Sequence, residues 1–402
     1  MVYIPGVSQP ARTVGLGRNV VTLGVVSFFT DVSSEMIYPL LPAFLIGVLG
    51  ATPGMLGAIE GAAETTAAFL KLASGWWSDR VRRRKPLVVF GYSLAAAMRP
   101  LVAIAQSGAQ VLMIRVSDRI GKGIRNSPRD ALIADSVDPS IRGRAFGFHR
   151  AADNAGAVFG PLIAFALLHW LSTPLRTVFW LAAIPGVIAI LILIAGVRET
   201  PRDVPERAHG DAGTTPHLAA SEKLPRPFWA FLGVMFVFTL GNSTDAFLIL
   251  RATQLGMPVA LAPILWAAFH VVKSASSTPG GALSDRVGRK PTLIAGWLLF
   301  AGVYVGFAFA TAHWHAWALF LVYGLFFGLT EGAERAFVSD LVPATRRGAA
   351  FGWFYLAVGL AALPASVVFG LLWEHSGATT AFIAGAALAL LASLGLAGVV
   401  RR

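Results

Sequence analysis

Gly75-Trp76-Trp77-Ser78-Asp79-Arg80-Val81-Arg82-Arg83-Arg84-Lys85-Pro86 returns 206 positions on as Gly281-Ala282-Leu283-Ser284-Asp285-Arg286-Val287-Gly288-Arg289-Lys290-Pro291. A second echo follows. Asp135 and Arg142-Gly143-Arg144-Ala145-Phe146-Gly147 are matched, 205 positions on, by Asp340 and Arg347-Gly348-Ala349-Ala350-Phe351-Gly352. One basic string can recur by chance; two in the same register predict that the second half of the chain repeats the first in the same orientation.

The sequence around these loops is apolar. Of 402 residues, 55% are hydrophobic and 13% charged, and the mean hydropathy is +0.66. Apolar stretches of about twenty residues, the length that crosses roughly 30 Å of hydrocarbon, recur throughout. The pattern predicts twelve spans: 19–46, 54–78, 86–106, 109–135, 144–171, 175–197, 227–250, 258–283, 291–312, 315–340, 348–373 and 377–399. These form an all-α integral membrane fold of two parallel six-helix repeats, 19–197 and 227–402, with a tail over 1–18 and a linker over 198–226. The tail lacks the features of a signal peptide, and the Pro-, Gly- and charge-rich linker suits a tether. Basic connections (Arg80 to Lys85, Arg142 and Arg144, Arg286 to Lys290, Arg346 and Arg347) alternate with nearly uncharged ones. The net charge of +12 is therefore a topology signal, not a nucleic-acid one. It places the basic loops, both termini and the linker in the cytoplasm, with the chain in a bacterial inner membrane. With no cysteine, thiolate chemistry and disulfides are excluded.

The repeated loop resembles the G-x-x-x-D-R-x-G-R-R motif of the major facilitator superfamily, and the likeness extends over essentially the whole chain. The first copy has Arg82 where that motif has Gly; Gly288 in the second copy fits. The resemblance implies a cytoplasmic latch formed by Gly75, Asp79, Arg80 and Arg84 and by Gly281, Asp285, Arg286 and Arg289. Physically, glycine lets helices approach closely and an acid at a helix end accepts hydrogen bonds from a neighbouring N-terminus. On the fifth span, Gly147, Gly156, Gly160 and Pro161 resemble the G-x8-G-x3-G-P motif of antiporters in that superfamily, without its closing glycine pair. Packing alone is the other reading of those glycines. Arg115 with Gly121 is similar to the superfamily's span-four motif, which implies a part in proton coupling.

Ionisable side chains inside spans are costly and are candidates for function. Most lie in the first half. Asp31 and Glu35 share a face of the first span; Glu60, Glu64 and Lys71 share a face of the second; Arg99 is on the third. The fourth carries Arg115, Asp118, Arg119, Lys122 and Arg125, and the fifth His149, Arg150 and Asp153. At about 1.5 Å per residue, Asp31, Glu64, Arg119 and Asp153 fall near mid-membrane and predict a polar cavity between spans one, two, four and five. A carboxylate there suits proton transfer, because its proton affinity changes with exposure. Glu60, Lys122, Arg125 and Arg129 fall nearer the ends, where they are expected to snorkel or pair, and Asp118 reads as a counter-ion for Arg115 or Lys122. In the second half Asp245 aligns with Glu35, and His270 with Glu64.

The expected function is secondary active transport, with export of a small organic or drug-like solute by proton antiport. Phrases such as Asp31-Val32-Ser33-Ser34-Glu35-Met36 also resemble a bacterial branch that includes proposed nickel-resistance exporters. Asp31, Glu35, Met36, His149, Asp153 and His270 could supply metal ligands, but the cationic fourth span opposes a divalent ion and suits an organic anion or a part in coupling. A non-transporting receptor is a further alternative. No enzyme motif stands out, and no cofactor or resident metal is expected. The expected partners are the solute, protons and the bilayer, with the chain a monomer.

Overall fold

The computed structural model describes residues 16–78, 81, 83–137, 142–199, 224–343 and 346–399. Among these, every regular element is helical. The helices are α1 (Arg18–Glu35), α2 (Pro53–Ser78), α3 (Lys85–Met98, continued as a 3-10 turn over Arg99–Ile104), α4 (Gly108–Asp135), α5 (Arg142–His169) and α6 (Leu175–Gly196). Then follow α7 (Arg226–Gly241, resuming over Ala246–Gln254), α8 (Ala262–Val287), α9 (Arg289–Phe309), α10 (His313–Asp340) and α11 (Arg347–Val399).

Among the described residues, nine helical stretches are long and apolar enough to cross a membrane. Helices α2 and α4 are as long, at 26 and 28 residues, but their charged and polar side chains keep them outside that set. Helix α11 counts as one stretch although it breaks at Gly377, whose φ of 84° is a conformation that a side chain would strain.

Two expected spans are broken. Helix α1 stops at Glu35, because Pro39 has no N–H and its ring clashes with the carbonyl four residues back. The chain continues to Val48 through 3-10, short α and π turns. Helix α7 is interrupted over 242–245, where Asn242, Ser243 and Thr244 offer the backbone competing polar side chains. Thr244 Oγ1 accepts from the Ala246 N–H at 3.4 Å as the helix resumes. The two breaks meet: Tyr38 and Thr244 hydroxyls lie 3.3 Å apart.

Helices α1 to α6 pack on one another, as do α7 to α11, and the two groups touch chiefly through α2 on α11 and α5 on α8. One end of the molecule, the motif end, carries the basic connections; there Arg84 meets Asp135, and Arg289 meets Asp340. At the far end the groups are in backbone contact. A Cβ at Gly57 would run into the Ser366 carbonyl, and one at Gly370 into that of Pro53. Glu374 accepts from the Gly54 N–H at 3.3 Å across the same seam. The same two helices stay in contact toward the motif end, where Thr65 donates to the Gly359 carbonyl at 2.6 Å and Lys71 lies over the Tyr355 ring. Arg150, which lines the space between the groups, has 63% of its side chain exposed.

Candidate functional site

Helix α4 supplies the centre of the site, and its glycines set it in place. Gly121 lies against the Gly91 carbonyl of α3, and Gly123 against Leu70 of α2, so no side chain holds the helices apart. Spacings of three and four residues then bring Arg115, Asp118, Arg119, Lys122 and Arg125 onto the walls of, or just behind, a polar cavity of about 360 Å³. Asp31, Glu35, Glu64, Asp153, Asp245 and His270 line the same cavity, which lies between the two helix groups. A second chamber of about 450 Å³ shares Tyr38, Glu64, Lys122, Asn126 and Asp245 with it. The second chamber is walled by Ala67, Ala68, Phe327, Tyr355, Val358 and the hydroxyls of Thr239, Ser243 and Ser366.

The ion pairs follow helix register. Arg115 donates to both oxygens of Glu60, Nε to Oε1 at 2.9 Å and Nη2 to Oε2 at 2.7 Å. One turn deeper, Arg119 Nη2 lies 3.1 Å from Glu64 Oε1. Helices α2 and α4 enter from the same end at Pro53 and Gly108, so partners 55 positions apart sit at equal depth. Asp118 is paired first with Arg99 of the 3-10 turn after α3, at 3.0 Å, with Arg119 at 3.7 Å and Arg115 at 4.0 Å. Lys122, an expected partner, is not among them. Arg99 also donates to the Thr30 carbonyl of α1 at 2.8 Å, joining three helices.

The acids of the facing walls are held differently. Asp153 accepts from the Ser27 hydroxyl and lies 3.6 Å from His149 Nδ1. Glu35 accepts from the Trp266 indole N–H at 2.7 Å, across the seam, and Asp245 from the Tyr323 hydroxyl at 2.7 Å. The alignment of Glu35 with Asp245 thus has a geometric counterpart: each takes one aromatic donor from the second helix group. Asp31 lines the cavity with no ion-pair partner among the described residues. His270 packs edge-on to Trp266 and Phe269, its Nε2 buried without a partner.

Of the two fates expected for Glu60 it takes the second: it pairs with Arg115 and is 1% exposed. Other expectations change. Lys122 and Arg125 face the cavity rather than a membrane end, and Arg125 is 3% exposed. Gly147 and Gly281 are not at close helix contacts, since a Cβ at either would meet nothing within 4 Å; the tight position near the second is Gly280, against the Gly328 carbonyl. Gly156 and Gly160 are at such contacts, with the Phe28 and Val32 carbonyls and the Asp31 and Glu35 Cβ atoms, so they set the two acids against α5. Pro161 is inside that helix.

At the motif end, Arg84 Nη1 donates to Asp135 at 2.6 Å, and Glu199 accepts from the Arg84 and Lys85 N–H groups at 2.7 and 2.8 Å, capping α3. Arg289 lies 2.5 Å from Asp285 and 3.5 Å from Asp340. Asp79 and Arg80 lie outside the described residues, Gly75 is within α2, and nothing placed here involves Arg286.

A charged cavity between two groups of membrane-length helices, closed at one end, has the form of a carrier. The chain belongs to the Major Facilitator Superfamily, whose family model matches residues 23–272 and 230–402. An uncharacterized MFS-type transporter of Methanocaldococcus jannaschii is 34% identical over 385 residues, 94% of each chain. A probable 4-methylmuconolactone transporter of Cupriavidus pinatubonensis is 27% identical over 363 residues, 84% of this chain and 81% of its own. Among solved structures, a bacterial homologue of the human lysosomal transporter Spinster, inward-facing and unoccupied, aligns with a TM-score of 0.77 at 17% identity over 94% of this chain and 95% of that one.

Proposed function

We propose that the chain is a proton-coupled secondary transporter that carries a small organic solute by alternating access. The observation that carries this reading is the mid-molecule cavity, where Asp31, Glu64 and Arg119 face Asp245 and His270 of the other helix group. Adding α2 and α4 to the nine apolar stretches, and dividing α11 at Gly377, gives twelve spans in two repeats, 19–197 and 227–402. The paired Arg84–Asp135 and Arg289–Asp340 contacts, 205 positions apart, support that repeat. By the positive-inside rule the motif end and both termini lie on the cytoplasmic side of a bacterial inner membrane, so the far-end seam faces outward.

The glycines of α5 favour export by antiport, and the lactone named for one relative favours an organic solute over a metal. Among the described residues no three His, Asp or Glu side chains are grouped to hold a metal ion, which weighs against a nickel-type exporter. The chain works as a monomer, with protons and solute as its partners. The test is flux in liposomes: a transporter accumulates its solute when a pH gradient is imposed, whereas a receptor of this fold binds without flux.

A further inference from the structure

Eight cationic and five acidic side chains line the polar cavity, and Glu60, Asp118 and Asp130 stand behind three of the cations. When each contact is assigned, two cations are left over. Arg125 is 3% exposed and stacks on the Tyr92 ring, its Cζ 4.1 Å from the centroid. Its guanidinium has no hydrogen-bond acceptor among the described residues; Nε and Nη1 are buried and orphaned. Lys122, one turn away on the same face, lines both chambers and has no ion-pair partner among the described residues. Arg119 Nε, one turn before Lys122, is a third orphaned donor among the described residues. The acids left without a cation are Asp31, Glu35 and Asp245, and the latter two already accept from Trp266 and Tyr323. A buried guanidinium without an acceptor is a costly arrangement unless a ligand supplies one, and planar forked donors match the oxygens of a carboxylate or phosphate.

We propose that Lys122 and Arg125 hold the anionic group of the transported solute, an organic carboxylate or phosphate ester whose uncharged body lies in the adjoining chamber against Phe327 and Tyr355. The body's chamber, of about 450 Å³, offers Ala67, Ala68, Val358, Phe327 and Tyr355 and the hydroxyls of Thr239, Ser243 and Ser366. Glu60, Glu64, Lys71 and Asp245 are also on its wall, with Lys71 over the Tyr355 ring. This assignment deepens the transport reading and rests on it, though not on the direction of transport.

The experiment uses the full chain in detergent and four probes of one shape: benzoate, phenyl phosphate, benzamide and benzylammonium. Binding is read as the rise in thermal midpoint with concentration. Benzoate, phenyl phosphate or both raise the midpoint saturably, and the stronger of the two decides between carboxylate and phosphate. Benzamide and benzylammonium do not raise it. Lys122→Gln weakens the response at least tenfold and Lys122→Arg retains it. The assignment is overturned if benzamide or benzylammonium stabilises as well as the anions, if no anion of the panel stabilises, or if Lys122→Gln responds like the parent. The probe preference of the parent protein decides even where a variant does not fold. Counterflow in liposomes separates the two levels. An anion that binds but never exchanges removes the transport reading and leaves the anion site. Exchange of benzylammonium with no anion exchange does the reverse.

Discussion

The pairing of Glu60 with Arg115 shows what single residues reveal. Each lies seven positions into a helix entered from the same end, so equal depth alone would have matched them, as it matches Glu64 with Arg119. Depth measured from the membrane edge gave a different answer, because it took the ends of α2 and α4 as wet when neighbouring helices cover them. Lys122 and Arg125 were misplaced by the depth arithmetic itself, since Lys122 is at the middle of the 28-residue α4 and Arg125 one turn on, whereas Asp31, Glu64, Arg119 and Asp153 were legible as cavity residues. What the sequence could not show was the main partner of Asp118, since Arg99 reaches it from a 3-10 turn that no periodicity announces. Because both partners are buried, Glu60→Gln leaves Arg115 only the more distant Asp118, already paired with Arg99, and is expected to lower stability by about 3 kcal/mol. Thermal unfolding in detergent measures this, and an unchanged midpoint would show the pair to be dispensable. Asp31 has no ion-pair partner among the described residues, so Asp31→Asn is expected to leave folding and solute counterflow intact while removing accumulation driven by a pH gradient. Loss of counterflow as well would make Asp31 a solute-binding residue.

At the scale of elements, glycines do two different things that the sequence does not distinguish. Gly57, Gly156, Gly160 and Gly280 are contact points between helices, whereas Gly147 and Gly281, singled out by motif, face open space. A motif records a residue type; whether a backbone lies opposite is a matter of packing. Gly57→Ala is therefore expected to cost about 1–3 kcal/mol through overpacking against the Ser366 carbonyl, and Gly147→Ala and Gly281→Ala close to nothing. Comparing the three midpoints checks it, and equal losses would refute the packing assignment. The breaks after Glu35 and at Asn242 were written in Pro39, Pro42 and the polar run Asn242 to Thr244, but a hydropathy window reads across them.

At the scale of the whole molecule, the repeated loop was the most legible feature: it pointed to the family, and the proposed orientation rests on it. The cysteine-free chain makes the orientation measurable with single substitutions. Ser107→Cys, at the start of α4, is expected to react with a membrane-impermeant maleimide added to intact cells, and Val137→Cys, beyond its other end, only after lysis. The opposite pattern would invert the membrane orientation. The far-end seam between α2 and α11, with Gly57 against the Ser366 carbonyl and Gly370 against that of Pro53, is the contact that the proposed alternating access requires to open.

The central claim is that this cavity moves a solute in step with protons. Liposomes containing the purified chain, loaded at one pH and diluted into another, measure it directly with a radiolabelled solute that stabilises the protein. The account predicts solute movement against its own gradient while the pH difference lasts, collapsing when a protonophore is added. Binding without any movement, or movement indifferent to the pH difference, would contradict it.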